Sequence, residues 1–303
     1  MTLDIKIAAA TFGALLLWEI VAGEYRKPRV WTANELGVSA GAAINLFTVR
    51  ALQLLLIATV LPRLVPQWQG ALAHTSAWLV FPIAMLMDDY GNYWLHRGGH
   101  TVPWMWRLHK PHHTPTRLNV LATMRNNWMF NALLPNTWIA GTLLFLGATH
   151  AALAMLVLKI VVVYLQHTAV RWDLAIRRVA IGRAVLDVFE KIFVLQDYHH
   201  VHHGIGRYGN TSANYANVFV VWDHLHGTSV GSPHRVQDAF GLPVGVRSEP
   251  WYEQLWWPLF RSKPAMNAVR KSTPQREYSA DEVAEARAVI YLADGRAVVV
   301  GRA

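Results

Sequence analysis

A chain of 303 residues that is 53% hydrophobic and only 16% charged is too apolar for an average soluble protein, and fits a membrane core with a polar appendage. It contains no cysteine, which excludes disulfides, cysteine-ligated iron–sulfur clusters, zinc–thiolate sites and a cysteine nucleophile. The formal charge of +9 comes from basic residues that flank apolar segments, the pattern of membrane topology, and no zinc finger or aromatic-and-basic module argues for nucleic acid.

Residues 5–21 form a first apolar run, broken only by Lys6, Thr11 and Glu19. Asp4 and Lys6 cancel, and residues 21–23 are a weak cleavage match, so the run reads as a retained membrane helix rather than a secretion signal. A polar, basic stretch follows at 24–29. The second apolar helix is predicted at 40–61, where Asn45 and Arg50 need a protein or interfacial environment. A turn with two prolines at 62–69 leads to a third apolar helix at 71–87. Residues 118–127 read as polar and interfacial. Apolar segments at 128–146 and 151–166 follow, and the short link at 147–150 predicts a hairpin between them. A basic stretch at 171–183 continues into an amphipathic run ending near Leu195.

The expected fold is an all-α integral membrane protein with about four or five membrane helices. If Arg26, Lys27 and Arg29 are cytoplasmic, the alternation of spans returns both residue 88 and residue 171 to that side. Residues 1–230 then form a membrane and catalytic unit, and 231–303 a peripheral cytosolic region. In the latter, Asp294-Gly295 between β-rich runs predicts a small hairpin.

The 15 histidines are concentrated in a few clusters. His96 and His100 are four apart, so on a helix they share a face and can reach one metal or two neighbouring metals. His109, His112 and His113 make an H-x-x-H-H pattern, three and four residues apart and so again on one helical face, with Pro111 arguing that a helix begins or bends there. His199, His202 and His203 repeat that spacing, with His200 between them. His167 ends the fifth apolar segment, at the same membrane boundary. Isolated His74, His150 and His234 read as polar surface residues, while His200, His224 and His226 are left open.

Clusters of imidazole suit a redox metal. Oxygen-dependent cleavage of a strong C–H bond needs one. Two irons can share the oxidising equivalents, and these histidines can supply most of their ligands. Zinc could bind the same residues but has no redox chemistry. Two other classes compete: a zinc-dependent membrane hydrolase or isomerase, and a noncatalytic lipid or metal transport protein.

The three boxes, in order, resemble those of the fatty acid hydroxylase and sterol desaturase superfamily. Asp89 and Trp94 resemble the lead-in to the first box, Leu108 with His109, His112 and His113 the second, and His167 the isolated histidine before the last. Trp222-Asp223 and Gly227-Thr228 resemble the closing W-D-x-x-x-G-T segment, and His226 stands where the family often has phenylalanine. The likeness covers roughly residues 40–230. It implies a helical membrane fold whose cytosolic cap holds two iron ions on His96, His100, His109, His112, His113, His167, His199, His202 and His203. It also implies O2-dependent hydroxylation or desaturation of a hydrophobic, lipid-like substrate.

No G-x-G-x-x-G signature or haem domain is present, so electrons must come from an external donor, a ferredoxin or cytochrome with its reductase. The basic face with Arg171, Arg177, Arg178 and Arg183 could dock such an acidic partner. The compact topology fits a bacterial inner-membrane enzyme with its active site on the cytoplasmic side.

Overall fold

A computed structural model describes residues 3–26, 32–242 and 248–262, together with the backbone of two short strands at 289–291 and 297–299. Lys27 and Arg29, on which the expected orientation partly rests, lie outside the described residues, as does the Asp294-Gly295 turn.

The first helix, α1 (Leu3–Val21), is followed by α2 (Ala33–Leu64). Helix α2 starts earlier than its apolar pattern suggests because Thr32 caps it: the Glu35 N–H donates to Thr32 Oγ1 at 3.1 Å. Helix α3 (Ala77–Thr101) begins six residues after the predicted start, where Ser76 Oγ accepts from the Trp78 N–H at 3.3 Å. It then continues through His96 and His100, well past the end of its apolar stretch. Helix α4 (Pro103–His113) starts on a proline at its first position, where the missing N–H costs nothing, and runs through Pro111. The break expected at Pro111 therefore lies at Pro103.

The predicted segment at 128–146 is two helices, α5 (Trp128–Leu133) and α6 (Pro135–Phe145). Pro135 restricts Leu134 to extended backbone, φ −58° and ψ 123°, and so breaks the run. Helix α7 (Thr149–His167) returns against α6, giving the expected hairpin. Short helices α8 (Trp172–Ile176), α9 (Ala180–Phe189) and α10 (Gln196–His203) follow. Strand β1 (Gly204–Ile205), helix α11 (Val221–Leu225), strand β2 (Ala239–Phe240) and helix α12 (Trp251–Trp256) complete the main body. Strands β1 and β2 pair antiparallel, an element the sequence did not suggest. Strands β3 (Val289–Tyr291) and β4 (Ala297–Val299) pair antiparallel, with Val289 opposite Val299.

Small residues set how closely the helices meet. Val80, Ala84 and Met85 of α3 pack with Ala140 and Leu143 of α6 and Ala151, Ala152 and Met155 of α7 in the largest buried cluster. On α2, a Cβ at Gly41 would fall 2.5 Å from Leu255 Cδ1, and one at Gly37 2.6 Å from Trp251 Cγ. These glycines, one turn apart, form the groove in which α12 lies. Residues 248–262, expected to be peripheral, are thus anchored on α2.

Glu19, which the sequence puts near a helix end, is fully buried. Its carboxylate accepts from the Val120 N–H (3.0 Å), the Ala169 N–H (2.7 Å), Thr168 Oγ1 (2.9 Å) and Tyr25 Oη (2.6 Å). It ties α1 to the loops that follow α4 and α7.

Outward faces are different. Ile44, Phe47, Leu52 and Leu55 of α2, and Trp78, Leu79, Ile83 and Met87 of α3, are exposed. Apolar surface on this scale marks contact with lipid or protein. Among the described residues, two helices, α2 and α7, are long and apolar enough to cross a membrane.

Candidate metal centre

Helices α3, α4, α7 and α10 bring all nine predicted imidazoles together, every one buried. They fall into two groups. His96 and His100 of α3, His109 and His113 of α4 and His202 of α10 form the first. His112 of α4, His167 of α7 and His199 and His203 of α10 form the second. Within each group the ligand nitrogens lie within 4.8 Å of one another.

The rings are held from behind. The Nδ1–H of His96 donates to the Tyr215 carbonyl at 2.7 Å, that of His202 to the Ala213 carbonyl at 2.8 Å and that of His112 to the Ala122 carbonyl at 3.0 Å. His167 donates within its own helix to the Val163 carbonyl at 2.8 Å, and His109 Nδ1 faces Asn126 Oδ1 at 3.4 Å. A hydrogen bond from Nδ1 to an oxygen fixes the neutral tautomer and leaves the Nε2 lone pair free for a metal.

The carbonyls are themselves positioned. Asp223 accepts from the Tyr215 and Ala216 N–H groups, both at 2.8 Å, from Tyr198 Oη at 3.0 Å and from Thr228 Oγ1 at 2.6 Å. Asn214 sits in the left-handed region at φ 56° and donates from Nδ2 to the Tyr198 carbonyl at 3.0 Å. Asp89 accepts from Val218 N–H, Phe219 N–H and Trp222 Nε1–H at 2.8–2.9 Å. The acidic residues of the sequence motifs therefore hold the loop that holds the histidines. Neither belongs to either imidazole group.

Can these residues hold metal? The buried Nε2 atoms of His96, His100, His109 and His203 have no hydrogen-bond partner. Nε2 of His167 lies 3.0 Å from those of both His112 and His199, and Nε2 of His202 lies 3.3 Å from that of His113. Lone pairs facing each other in a dry interior are unfavourable by themselves. Nitrogens at right angles, each about 2.1 Å from one ion, would stand roughly 3 Å apart. Burial first, and the neighbouring imidazoles second, depress His113, His199 and His203 well below the ordinary histidine range. Neutral imidazole is the ligating form. An all-nitrogen donor set of this kind fits iron or zinc.

The other histidines stand apart. His200 is buried beside Phe240, its ring edge-on at 5.5 Å, and belongs to neither group. His226 stacks on Tyr93 at 5.0 Å and on Tyr90 at 5.9 Å. His74, His150, His224 and His234 are exposed, the last with Nε2 2.9 Å from Glu190. Of the basic residues assigned to partner docking, Arg171 pairs with Asp173 and Asp197, and Arg177 with Asp187 and Glu190. Both are committed to internal ion pairs, which leaves Arg178 and Arg183 exposed on that face.

A cavity of about 290 Å³ adjoins the centre. His96 and His109 of the first group, and His112, His167 and His199 of the second, line it. Leu153, Leu156, Val157 and Ile160 of α7 supply an aliphatic wall. Arg50, Asn131 and Lys159 also reach it. Of these, the sequence had marked only Arg50 as unusual. Short, mixed segments such as α5 carry no periodic signal that would reveal Asn131.

Residues 81–228 match the family model described as fatty acid hydroxylase. Among curated proteins, the alkylglycerol monooxygenase of Homo sapiens is 30% identical over 164 residues, covering 54% of this chain and 33% of the relative. That of Xenopus tropicalis is 28% identical over 203 residues, covering 63% and 39%. The fatty acid hydroxylase vlmA of Lecanicillium sp is 30% identical over 165 residues, covering 50% and 42%. The chain thus spans about a third to two fifths of the length of these relatives. No solved structure matches it.

Proposed function

The chain belongs to the fatty acid hydroxylase and sterol desaturase superfamily, and from that premise we propose that it is an O2-dependent lipid hydroxylase or desaturase with two irons on its nine buried histidines. The observation that carries this reading is the convergence of two carboxylate-free imidazole groups on one aliphatic-walled cavity. When bound, the irons would supply the redox chemistry that activates dioxygen and removes hydrogen from an unactivated carbon.

The chain's own residues do the rest. The Tyr215, Ala213, Ala122 and Val163 carbonyls keep four imidazoles in the ligating tautomer. Leu153, Leu156, Val157 and Ile160 exclude water and lay an alkyl chain against His112, His167 and His199. How firmly a carbon is held there decides between an alcohol and an alkene product.

The same proposal includes four or five membrane helices, with α1, α3 and the broken α5–α6 segment joining α2 and α7, and the histidines at the cytosolic face of a bacterial inner membrane. Residues 1–230 are the membrane and metal unit, and 231–303 a cytosolic extension. Electrons come from a ferredoxin or cytochrome with its reductase, docking beside the exposed Arg178 and Arg183.

Metal analysis of gently solubilised protein tests the reading. About two irons per chain are expected, one for each imidazole group. A lipid product should then appear only with reductant and oxygen. Stoichiometric zinc without iron after iron-supplemented expression would replace the oxygenase with a hydrolytic or structural role.

A further inference from the structure

Arg50 lies in the middle of α2, a helix apolar enough to cross a membrane, and it faces the cavity rather than the outer surface. A guanidinium carries its positive charge as a planar fork of N–H donors. Among the described residues no carboxylate pairs with it; Tyr164, also on the cavity wall, is its polar neighbour, and its Nε is buried with no hydrogen-bond partner. The other cation of the cavity differs: Lys159 Nζ is neutralised by Asp88 Oδ2 at 2.5 Å. An intramembrane charge that points inward without a counter-ion marks a ligand site.

Asn131 provides a second, independent sign. It is buried at 2% exposure, lines the same cavity, and neither its Oδ1 nor its Nδ2 has a partner. The two residues are brought to one level by a specific bond. Gln53, three residues after Arg50, donates from Nε2 to the carbonyl of Ala132, the residue after Asn131, at 3.1 Å. A buried amide with both ends unpaired, beside a guanidinium whose buried Nε has no partner, is costly unless a ligand completes it.

We propose that Arg50 and Asn131 form a head-group subsite, and that the cavity takes an alkyl chain ending in an anionic oxygen head, either a carboxylate or a phosphate. The guanidinium donates in pairs to two oxygens of such a head, and the Asn131 amide donates to one more. The aliphatic wall on α7 then leads the chain to the imidazoles. This deepens the lipid-oxidation reading and rests on it for the purpose of the site, though not for binding.

The test uses iron-loaded, detergent-solubilised full chain and three probes of equal chain length: laurate, dodecyl phosphate and 1-dodecanol. Affinity is measured by displacement of a fluorescent lipid, and oxidation products are followed separately. One or both anions should bind wild type on the order of tenfold or more tighter than the alcohol, the size of one charge-assisted bond in a buried site. Which anion wins distinguishes a fatty acid from a phospholipid-type head. Arg50→Gln should abolish the preference with iron content unchanged, and Arg50→Lys should keep part of it. Equal affinity of wild type for anions and alcohol, or a preference that survives Arg50→Gln, would overturn the subsite. The wild-type comparison decides the matter even if Arg50→Gln does not fold. Arg50-dependent binding without any O2-dependent product would instead sink the proposed reaction and leave the subsite standing. Turnover of the alcohol as well as the acids, unaffected at Arg50, would do the reverse.

Discussion

The two imidazole groups differ in number and in outlook. The first has five donors, of which His96 and His109 reach the cavity, while His100, His113 and His202 lie behind. The second has four, and His112, His167 and His199 all line the cavity wall. Their supports differ too. The first leans on the 213–216 loop and on the Asn126 side chain, whereas the second uses the Ala122 carbonyl and the last turn of α7. A group with fewer donors has more room for exogenous ligands, and a group on the cavity wall meets the substrate first. On the proposed reading, both measures make the second group the working face and the first its companion.

Loss of one donor should expose this difference most strongly. His167→Ala leaves three imidazoles in the second group, and His100→Ala leaves four in the first. We expect His167→Ala to lose about one iron per chain, with activity falling beyond the roughly 100-fold that outer partners command. His100→Ala should retain more metal and more activity. Equal metal loss in the two variants, read by elemental analysis, would erase the distinction.

A smaller effect should follow from Asn126→Ala, which removes the only side-chain oxygen behind His109 among the described residues. Metal affinity in the first group should fall about tenfold, the low end for an outer partner, with the second group unaffected. A chelator titration that resolves two classes of iron would see one class move. Movement of both would mean that the groups share their support.

The smallest effect is expected at His226. Its ring stacks on Tyr93 and its Nε2 is buried without a partner. His226→Phe should leave iron content unchanged and hold or raise stability by up to about 1 kcal/mol, since an unsatisfied polar atom is removed. A loss of iron on this substitution would make His226 a tenth donor.

Much of the helical architecture was legible in the apolar runs, because lipid-facing and core-facing helices share a composition that loops lack. Element ends were less so. Helix α2 begins seven residues before its predicted start because Thr32 supplies a cap, and α3 outlasts its apolar stretch because buried histidines and aspartates continue its inward face. The break at Pro135 was written in the sequence but hidden inside an apolar run. Glu19 and Arg171 looked like boundary charges; Glu19 is a buried anchor with partners about 100 and 150 residues away, and the partly buried Arg171 reaches Asp197, 26 residues on.

The histidine spacing alone determined which imidazoles share a helix face: four residues return a side chain to nearly the same side at about 100° per residue. His96 with His100, His109 with His113 and His199 with His203 each stay together. Only the tertiary structure decided which pairs meet. His112 crosses from its own helix to the His199 pair, and His202 crosses the other way. A single turn of helix fixes local direction, but partners drawn from four separate helices are chosen by how α3, α4, α7 and α10 pack.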